Sequence, residues 1–166
     1  MSSPTQQLSQ WLAGFGDVLE RRDTAAAVEM FEQECYWRDL VAFTWNIVTV
    51  EGQEGIEAML EARLGDVQPG GWEMQGEATV DEDVVEGWFT YETTVARGLG
   101  HVRLRGGKCR TLLTTMVELK GFEEKTGHRR IKGTEHGVFK GRKTWLELKQ
   151  QEEAELGYTR QRSEER

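Results

Sequence analysis

The sequence predicts an α+β fold in which N-terminal helices pack on a curved antiparallel sheet. Apolar residues recur at helical spacing as far as Leu64, and from Trp72 onward they alternate at strand spacing. Helices followed by a run of strands are typical of α+β domains. Helices that close one face of a strongly curved sheet leave a cone with a hollow end. We therefore expect a small-molecule pocket in that end.

Three helices are predicted before the strands. Ser3 can cap the first helix, and Pro4 suits its first turn. The apolar stripe of this helix consists of Leu8, Trp11, Leu12, Phe15 and Leu19. A second, short helix is expected to start at Asp23. It carries Ala27, Met30 and Phe31. A third helix follows Gly52 and is expected to stop at Gly65, because glycine favours helix ends.

The strands are predicted in two hairpins, after an extended stretch from Cys35 to Leu40. In the first hairpin, "WEMQGEATV" and "VVEGWFTYETTV" flank an acidic turn at residues 81–83. In the second, "GHVRLR" and "KCRTLLTTMVEL" flank Gly106 and Gly107, a favoured two-residue turn. The last predicted helix begins near Thr144 and leads into a polar tail.

Length and composition limit the class of protein. The 166 residues favour one domain, which we place at residues 1–156, with residues 157–166 as a polar tail or linker. The net charge of −8 argues against nucleic acid or an anionic membrane as a partner. No apolar run is long enough for a membrane span, and no secretory signal is recognisable. Together with the two cysteines, Cys35 and Cys109, these features suit the cytoplasm.

Charge is unevenly distributed along the chain. Residues 1–96 contain 4 basic and 19 acidic side chains, whereas residues 97–143 contain 13 basic and 4 acidic ones. If the basic hairpin lies beside the acidic one, the two sets of charges pair across strands. The alternative is a basic face for a phosphate-bearing cofactor or an acidic partner.

Asp39 is the most informative polar residue, because it lies in the aromatic segment "ECYWRDLVAFTWNIVTVEG". A charge in apolar surroundings is costly unless it is paired or solvated. Neighbouring strand residues point to opposite faces, so Asp39 shares a face with Trp37 and not with Arg38. Three roles stay open. Asp39 can hold the fold, through backbone hydrogen bonds at a strand end or an arginine partner; it can bind a ligand; or it can transfer protons.

For proton transfer, the candidate catalytic residues are Asp39 with His101 or His136, since a carboxylate–histidine pair can shuttle protons near neutral pH. The candidate pocket residues are Trp37, Trp45, Trp88, Thr115 and Met116. Aromatics at strand spacing more often form a core. Trp88 and Tyr91 have opposite parity, so at most one of them faces the cone. The three histidines lack ligand spacing, and no metal site is predicted.

Three segments carry a family resemblance: "CYWRDLVAFTWNIVTVEGQEGIEAML", "GKCRTLLTTMVELKGFEE" and "GTEHGVFKGRKTWLELKQQEEAELGYTRQ". In this order they resemble parts of the N-terminal domain of some flavin-containing monooxygenases, the last being the connection to the flavin-binding domain. The order of elements also resembles the NTF2-like (SnoaL-like) superfamily, whose members share a cone-shaped α+β fold. The resemblance spans residues 11–161.

The resemblance implies that FAD and NADPH bind in a fused or partner flavin domain, with no cofactor in this chain. The near match to a dinucleotide-binding turn, Gly98-Leu99-Gly100, has Arg103 at the third glycine position and lies within a strand pattern. Steroid isomerases of the same fold combine an Asp base with a Tyr and a second carboxylic acid. That set is absent here, since the first helix contains no Tyr and no Asp follows Asp83.

These observations favour an accessory or ligand-binding domain associated with, or part of, a flavin-dependent monooxygenase. Two alternatives stay open: a stand-alone lyase or isomerase that uses the Asp–His pair, and a dimerisation module. Strands with apolar residues on both faces are usually buried on both faces. We therefore expect another part of the chain or a partner to cover the outer side of the sheet. The expected partners are a second copy of the chain, a flavin-binding domain and a small hydrophobic ligand.

Overall fold

The computed structural model describes residues 3–130, 141 and 143–155. It consists of two compact units, residues 1–124 and residues 125–166, which are treated separately below. The expected tail at residues 157–166 lies outside the described residues, so the boundary at residue 156 stays a prediction.

The first unit contains three helices and six strands. The helices are α1 (Pro4–Glu20), α2 (Thr24–Glu29) and α3 (Gly52–Val67). The strands are β1 (Phe31–Leu40), β2 (Ile47–Glu51), β3 (Gly70–Asp81), β4 (Val84–Glu92), β5 (Ala96–Arg105) and β6 (Lys108–Leu119). They form one sheet in the order β2-β1-β6-β5-β4-β3. The α+β prediction is confirmed, except that β1 and β6 pair in parallel while the other pairs are antiparallel.

Local signals set several of the boundaries as expected. Ser3 and Gln6 form a capping box at the start of α1, and Asp23 caps α2 by accepting from the Ala26 amide. Gly106 and Gly107 both have positive φ, as a tight hairpin turn between β5 and β6 requires. The acidic turn between β3 and β4 is also found where it was predicted.

Three element boundaries differ from the predictions. Phe31 is the first residue of β1 and not part of the second helix. Helix α3 continues past Gly65 to Val67, whose side chain is buried, and Gln68 supplies the left-handed C-cap instead. The short strand β2 was not predicted, although its β-branched residues Ile47, Val48, Thr49 and Val50 favour a strand. At the other two boundaries, the burial of Phe31 and Val67 overrides the local signal.

The helices pack on one face of the sheet, here called the inner face; the opposite face is called the outer face. Aromatic rings fill the space between helices and inner face, with neighbouring centroids 4.8–6.2 Å apart. The rings in contact are Trp11, Phe15, Phe31, Trp37, Phe43, Trp72, Phe89 and Tyr91. The hollow end that was expected among these residues is therefore a packed core.

Two glycines of β5 make room for this core. A Cβ atom at Gly98 would lie 2.3 Å from Cζ of Tyr91, and one at Gly100 would lie 2.2 Å from Cζ of Phe89. Both rings come from β4, which pairs with β5 at these positions. The two rings thus lie directly over the glycines, and a side chain at either position would displace a core aromatic.

Charges on the outer face pair across strands. Arg103 lies 2.7 Å from the Glu86 carboxylate, and Lys120 lies 2.8 Å from that of Glu92. Arg105 of β5 binds Glu32 of β1 through two hydrogen bonds of 2.8 and 2.9 Å. The prediction that the basic hairpin pairs with acidic residues is confirmed for these contacts.

The second unit contains a short 3₁₀ helix (Gly127–Arg129) and helix α4 (Trp145–Glu155). Thr144 begins α4, with its amide and hydroxyl both bonded to the Glu147 carboxylate. This helix starts where the sequence predicted it, and no residue within it is buried.

Candidate functional site

Asp39 lies at the inner face near the end of β1 and is completely buried. Its carboxylate accepts hydrogen bonds from four donors. The Phe43 amide lies 3.0 and 3.1 Å from the two oxygens, and the Thr44 amide and hydroxyl lie 2.8 and 2.7 Å from Oδ2. The fourth donor is the Thr114 hydroxyl, 2.8 Å from Oδ1. Backbone hydrogen bonding at a strand end is one of the structural roles considered above, and the geometry shows it.

Thr114 links Asp39 to the buried indole of Trp37. The Trp37 Nε1–H donates to Oγ1 of Thr114 over 2.8 Å, and Thr114 in turn donates to Asp39. Trp37 and Asp39 share the inner face, as strand alternation predicted, and Arg38 is exposed and bonds to Thr49 instead. Trp37, Thr114 and Asp39 thus form a chain of hydrogen bonds in which each buried polar hydrogen has an acceptor.

The carboxylate holds the β1–β2 connection, residues 41–46, in an unusual conformation. Val41 and Trp45 have φ angles of 55° and 54°, in the left-handed region that β-branched and bulky residues rarely adopt. Such a residue costs on the order of 1–3 kcal/mol and persists only where its surroundings fix it. The hydrogen bonds from Phe43 and Thr44 to Asp39 lie between the two strained residues and supply that constraint.

The expected catalytic pair of Asp39 and His101 is not formed. Asp39 pairs with Thr114 across the β1–β6 ladder, and Thr114 pairs with Gly100 of β5. His101 follows Gly100, so its ring lies on the outer face, where it contacts Trp88 edge-on at 4.7 Å. The sheet separates the two groups. Burial lowers the pKa of His101, an effect that the Glu86 charge partly offsets. His136 lies outside the described residues.

The five candidate pocket residues do not converge on one pocket. Trp37 is in the core, Trp45 is 58% exposed at the β1–β2 connection, and Trp88 is 45% exposed on the outer face. Thr115 follows the inward-facing Thr114 and faces outward. Met116 packs against the core and also borders a cavity on the outer side. The alternation of side chains along β4 correctly predicted that Trp88 and the buried Tyr91 lie on opposite faces of the sheet.

Tyr91 is a buried ionisable residue whose pKa is affected by the charge of Asp39. Burial raises the pKa of the Tyr91 phenol, and the Asp39 charge raises it further. The hydroxyl donates to the backbone carbonyl of Thr115 over 3.2 Å. A phenol held protonated in this way contributes packing and one hydrogen bond, and it is not poised to exchange protons near neutral pH.

A cavity of about 930 Å³ lies on the outer face over β3 to β6, and we call it the outer groove. Its lining consists of Gly71, Glu73, Gln75, Thr90, Tyr91, Glu92, Arg97, Gly98, Leu99, Met116, Val117, Glu118, Leu119, Phe122 and Glu124. Phe122 and Val117 are the most exposed apolar residues there, at 84% and 65%. Of this lining, the sequence analysis named only Met116 as a pocket residue, because the groove is assembled from four strands and a turn.

A smaller cavity of about 200 Å³ lies beside Trp45, between the β1–β2 connection, α3 and the β4–β5 turn. Arg63 and Asp66 of α3 place opposite charges at its edge. A third cavity, of about 570 Å³, lies between α1, α3 and Trp72. The Nε1 atom of Trp72 is buried without a hydrogen-bond partner among the described residues.

Neither a metal cluster nor a membrane-spanning segment is found in the described part of the chain. No group of three or more His, Cys, Asp or Glu side chains there is arranged to hold a metal ion. No described helix is long and apolar enough to cross a membrane. Cys35 and Cys109 are free and buried, and burial raises the pKa of both thiols.

Comparison with known proteins finds structural relatives only. No family model matches the sequence, and no curated protein does. A ketosteroid isomerase-like protein from Erwinia carotovora atroseptica matches with a TM-score of 0.58 and 9% identity, over 71% of this chain and 99% of that one. A protein of unknown function from Mycobacterium tuberculosis matches with a TM-score of 0.54 and 14% identity, over 69% and 72%.

The orange carotenoid protein from Anabaena, in a structure that binds canthaxanthin, matches with a TM-score of 0.54 and 12% identity. The match covers 66% of this chain and 36% of that one, so the fold is there one part of a longer chain. At these identities the likeness concerns the fold alone. With its N-terminal helices on a curved six-stranded sheet, this chain has the NTF2-like fold.

Proposed function

We propose that this chain is a non-catalytic accessory domain of a flavin-dependent monooxygenase, fused to or docked on the flavin-binding part. The observation that carries the proposal is the environment of Asp39. The lyase or isomerase considered as an alternative needs a proton-transfer group with access to substrate. Here the buried carboxylate is occupied by four donors from the fold itself, and the described histidine expected beside it lies across the sheet.

Two further observations support an accessory role. The sequence segments quoted above resemble the N-terminal domain of such monooxygenases, including its connection to the flavin domain. After the cone, the chain continues into a second compact unit that begins at Lys125. The orange carotenoid protein provides a precedent for this fold as part of a longer chain. A flavin domain would supply FAD and NADPH, and this domain would shape access to it.

The test compares residues 1–166 with the product of the complete transcript that encodes them. We expect residues 1–166 to purify without the visible absorption bands of flavin, because no dinucleotide-binding turn is present. The complete product is expected to carry FAD and to contain a strand followed by a Gly-rich turn after Arg166. FAD bound to residues 1–166 at unit occupancy would contradict the proposal. So would a transcript that ends at Arg166 in cells where no flavoprotein co-purifies with the chain.

Self-association through the outer face remains a prediction of its own. The row Trp88, His101 and Leu113 crosses the outer face and places an apolar side chain on each side of His101. A two-fold axis through this row would bury the exposed indole of Trp88 against its copy. Light scattering at micromolar concentration is expected to give about twice the 19.0 kDa chain mass, and Trp88→Glu is expected to give monomers. A monomeric wild-type chain would refute this.

A further inference from the structure

The two cysteines of the chain lie on neighbouring strands, and both side chains belong to the core. Cys35 is in β1 and Cys109 is in β6, and both are free and buried. Cys109 pairs with Phe31, and the next pair of the β1–β6 ladder joins Tyr36 to Thr111. Cys35 directly precedes Tyr36, so β1 rejoins β6 at Cys35, close to Cys109.

Strand β1 makes a bulge between these two pairs. It has residues 32–35 there, whereas β6 has only Arg110. The first three residues of the bulge are partly or fully exposed, and Cys35 is buried again. Bulges re-aim side chains, and this one turns Cys35 back into the core. Neighbouring strands lie about 4.8 Å apart, within the Cα–Cα separation of roughly 4.4–6.8 Å that a disulfide needs.

The two thiols are also close enough to interact electrostatically. Burial raises the pKa of the Cys109 thiol well above its usual value, and a charge on Cys35 raises it further. Burial and the charge of Glu32 raise the pKa of Cys35, whereas the Gly52 amide at the start of α3 lowers it. Of the two thiols, Cys35 therefore ionises more readily, and the thiolate is the reactive form.

Cys35 borders a cavity of about 450 Å³ on the side of β1 that faces the start of α3. Its lining consists of Gln33, Glu34, Cys35, Tyr36, Glu51 and Gly52. Cys109 is not part of this lining. A small oxidant that enters the cavity therefore reaches Cys35 first, with Cys109 behind it in the core.

We propose that Cys35 is a site of oxidation by peroxide and that Cys109 converts the oxidised Cys35 to a disulfide within the same chain. The Cys35 thiolate attacks one oxygen of hydrogen peroxide, the O–O bond breaks and hydroxide leaves, so Cys35 becomes a sulfenic acid. The Cys109 thiolate then attacks the Cys35 sulfur, the S–O bond breaks, and the oxygen leaves as hydroxide, which takes up a proton to form water. Overall, two thiols and one peroxide give one disulfide and two waters.

The disulfide would tie together the two strands that hold Asp39. Asp39 and Trp37 of β1 both bond to Thr114 of β6. A cross-link between residues far apart in sequence restricts the unfolded chain and so stabilises the folded one. We expect the oxidised chain to have a Tm about 5–15 °C above that of the reduced chain. This inference is independent of the accessory role proposed above.

The experiment treats the reduced, folded chain with hydrogen peroxide and follows its mass. We expect the chain to lose two hydrogens, and a peptide map without reductant to join the peptides of Cys35 and Cys109. Dithiothreitol is expected to reverse both changes. The rate is expected to rise about tenfold per pH unit near neutrality, because the raised pKa of Cys35 leaves little thiolate there.

Two serine variants assign the roles of the cysteines. In Cys109→Ser, dimedone, which traps sulfenic acids, is expected to label Cys35 at least fivefold more than in the wild-type chain, where the disulfide removes the sulfenic acid. In Cys35→Ser, dimedone is expected to leave Cys109 unlabelled. Circular dichroism shows whether each variant is folded, and the mass and peptide map of the wild-type chain test the pairing without any variant.

A folded chain that keeps both thiols in peroxide would overturn the proposal. Labelling of Cys109 in Cys35→Ser would overturn it as well, since peroxide would then reach the core without Cys35. A disulfide between two copies, seen as a doubled mass in a non-reducing gel, would contradict pairing within one chain. A disulfide that forms only after urea has unfolded the chain would show that the two cysteines are apart in the fold. None of these results depends on whether the chain belongs to a flavoprotein.

Discussion

Asp39→Asn is expected to lower the free energy of unfolding by about 3 kcal/mol, the upper end of the cost of an unsatisfied buried polar group. Asparagine keeps the volume, but its NH₂ group cannot accept a hydrogen bond. Whichever carboxylate oxygen the NH₂ group replaces, it faces either the donors of Phe43 and Thr44 or the hydroxyl donor of Thr114. The lost contacts also release the strained backbone at Val41. Urea unfolding monitored by circular dichroism measures the change.

A matched pair of threonine variants controls this experiment. Thr114→Val keeps the shape but removes both the donor to Asp39 and the acceptor for Trp37, so we expect a loss of about 2 kcal/mol. Thr49→Val removes an exposed hydroxyl that bonds to Arg38 and is expected to change stability by less than about 0.5 kcal/mol. If Asp39→Asn unfolds at the same urea concentration as wild type, the structural role of the carboxylate is wrong.

Gly100→Ala is expected to destabilise the first unit by about 3 kcal/mol, as overpacking of a tight core does. The new Cβ would lie 2.2 Å from Cζ of Phe89 and 2.7 Å from the backbone oxygen of Leu113. The ring of Phe89 would have to move into neighbouring aromatics, and the backbone oxygen belongs to the β5–β6 ladder. Thermal unfolding in a calorimeter would report this as a lower Tm.

Gly65→Ala is the control for this change. No heavy atom lies within 4 Å of the Cβ position at Gly65, and its φ is not in the left-handed region. Alanine in helix α3 is expected to raise stability by about 0.5–1 kcal/mol through its higher helix propensity. Equal Tm values for the two variants would show that the contact of Phe89 with β5 is looser than the structure indicates.

Much of the fold could be predicted from local signals. Ser3, Asp23 and the Gly106–Gly107 turn act within a few residues of sequence, and each is found in its expected role. The true end of α3 depends on the burial of Val67, which no local pattern encodes. Strand β2, in contrast, has a local signal in its β-branched residues, and the prediction left it out. The parallel pairing of β1 with β6 joins residues that are far apart in sequence, and no local pattern encodes it.

Local sequence patterns predict the arrangement of the candidate site only in part, as they do the fold. Alternation along β1 correctly placed Asp39 beside Trp37, because both lie in one short segment. The partner that decides the role of Asp39 is Thr114, 75 residues further along the chain. A single sequence does not reveal such a pairing. The side of the sheet on which His101 lies has a local signal, since His101 shares its parity with Arg103 and Arg105 and not with the buried Val102 and Leu104.

The position of β1 between β2 and β6 has a consequence for the order of folding. Its partner on one side, β6, is made last of all the strands, so during synthesis β1 has only the short strand β2 to pair with. The contacts that fix Asp39 and Trp37 close loops of 75 and 77 residues. Such non-local contacts slow folding, because the entropy of loop closure is lost before they form. Until Leu119 has left the ribosome, the helices and β1 expose their apolar surfaces, and this interval is when the nascent chain most needs a chaperone.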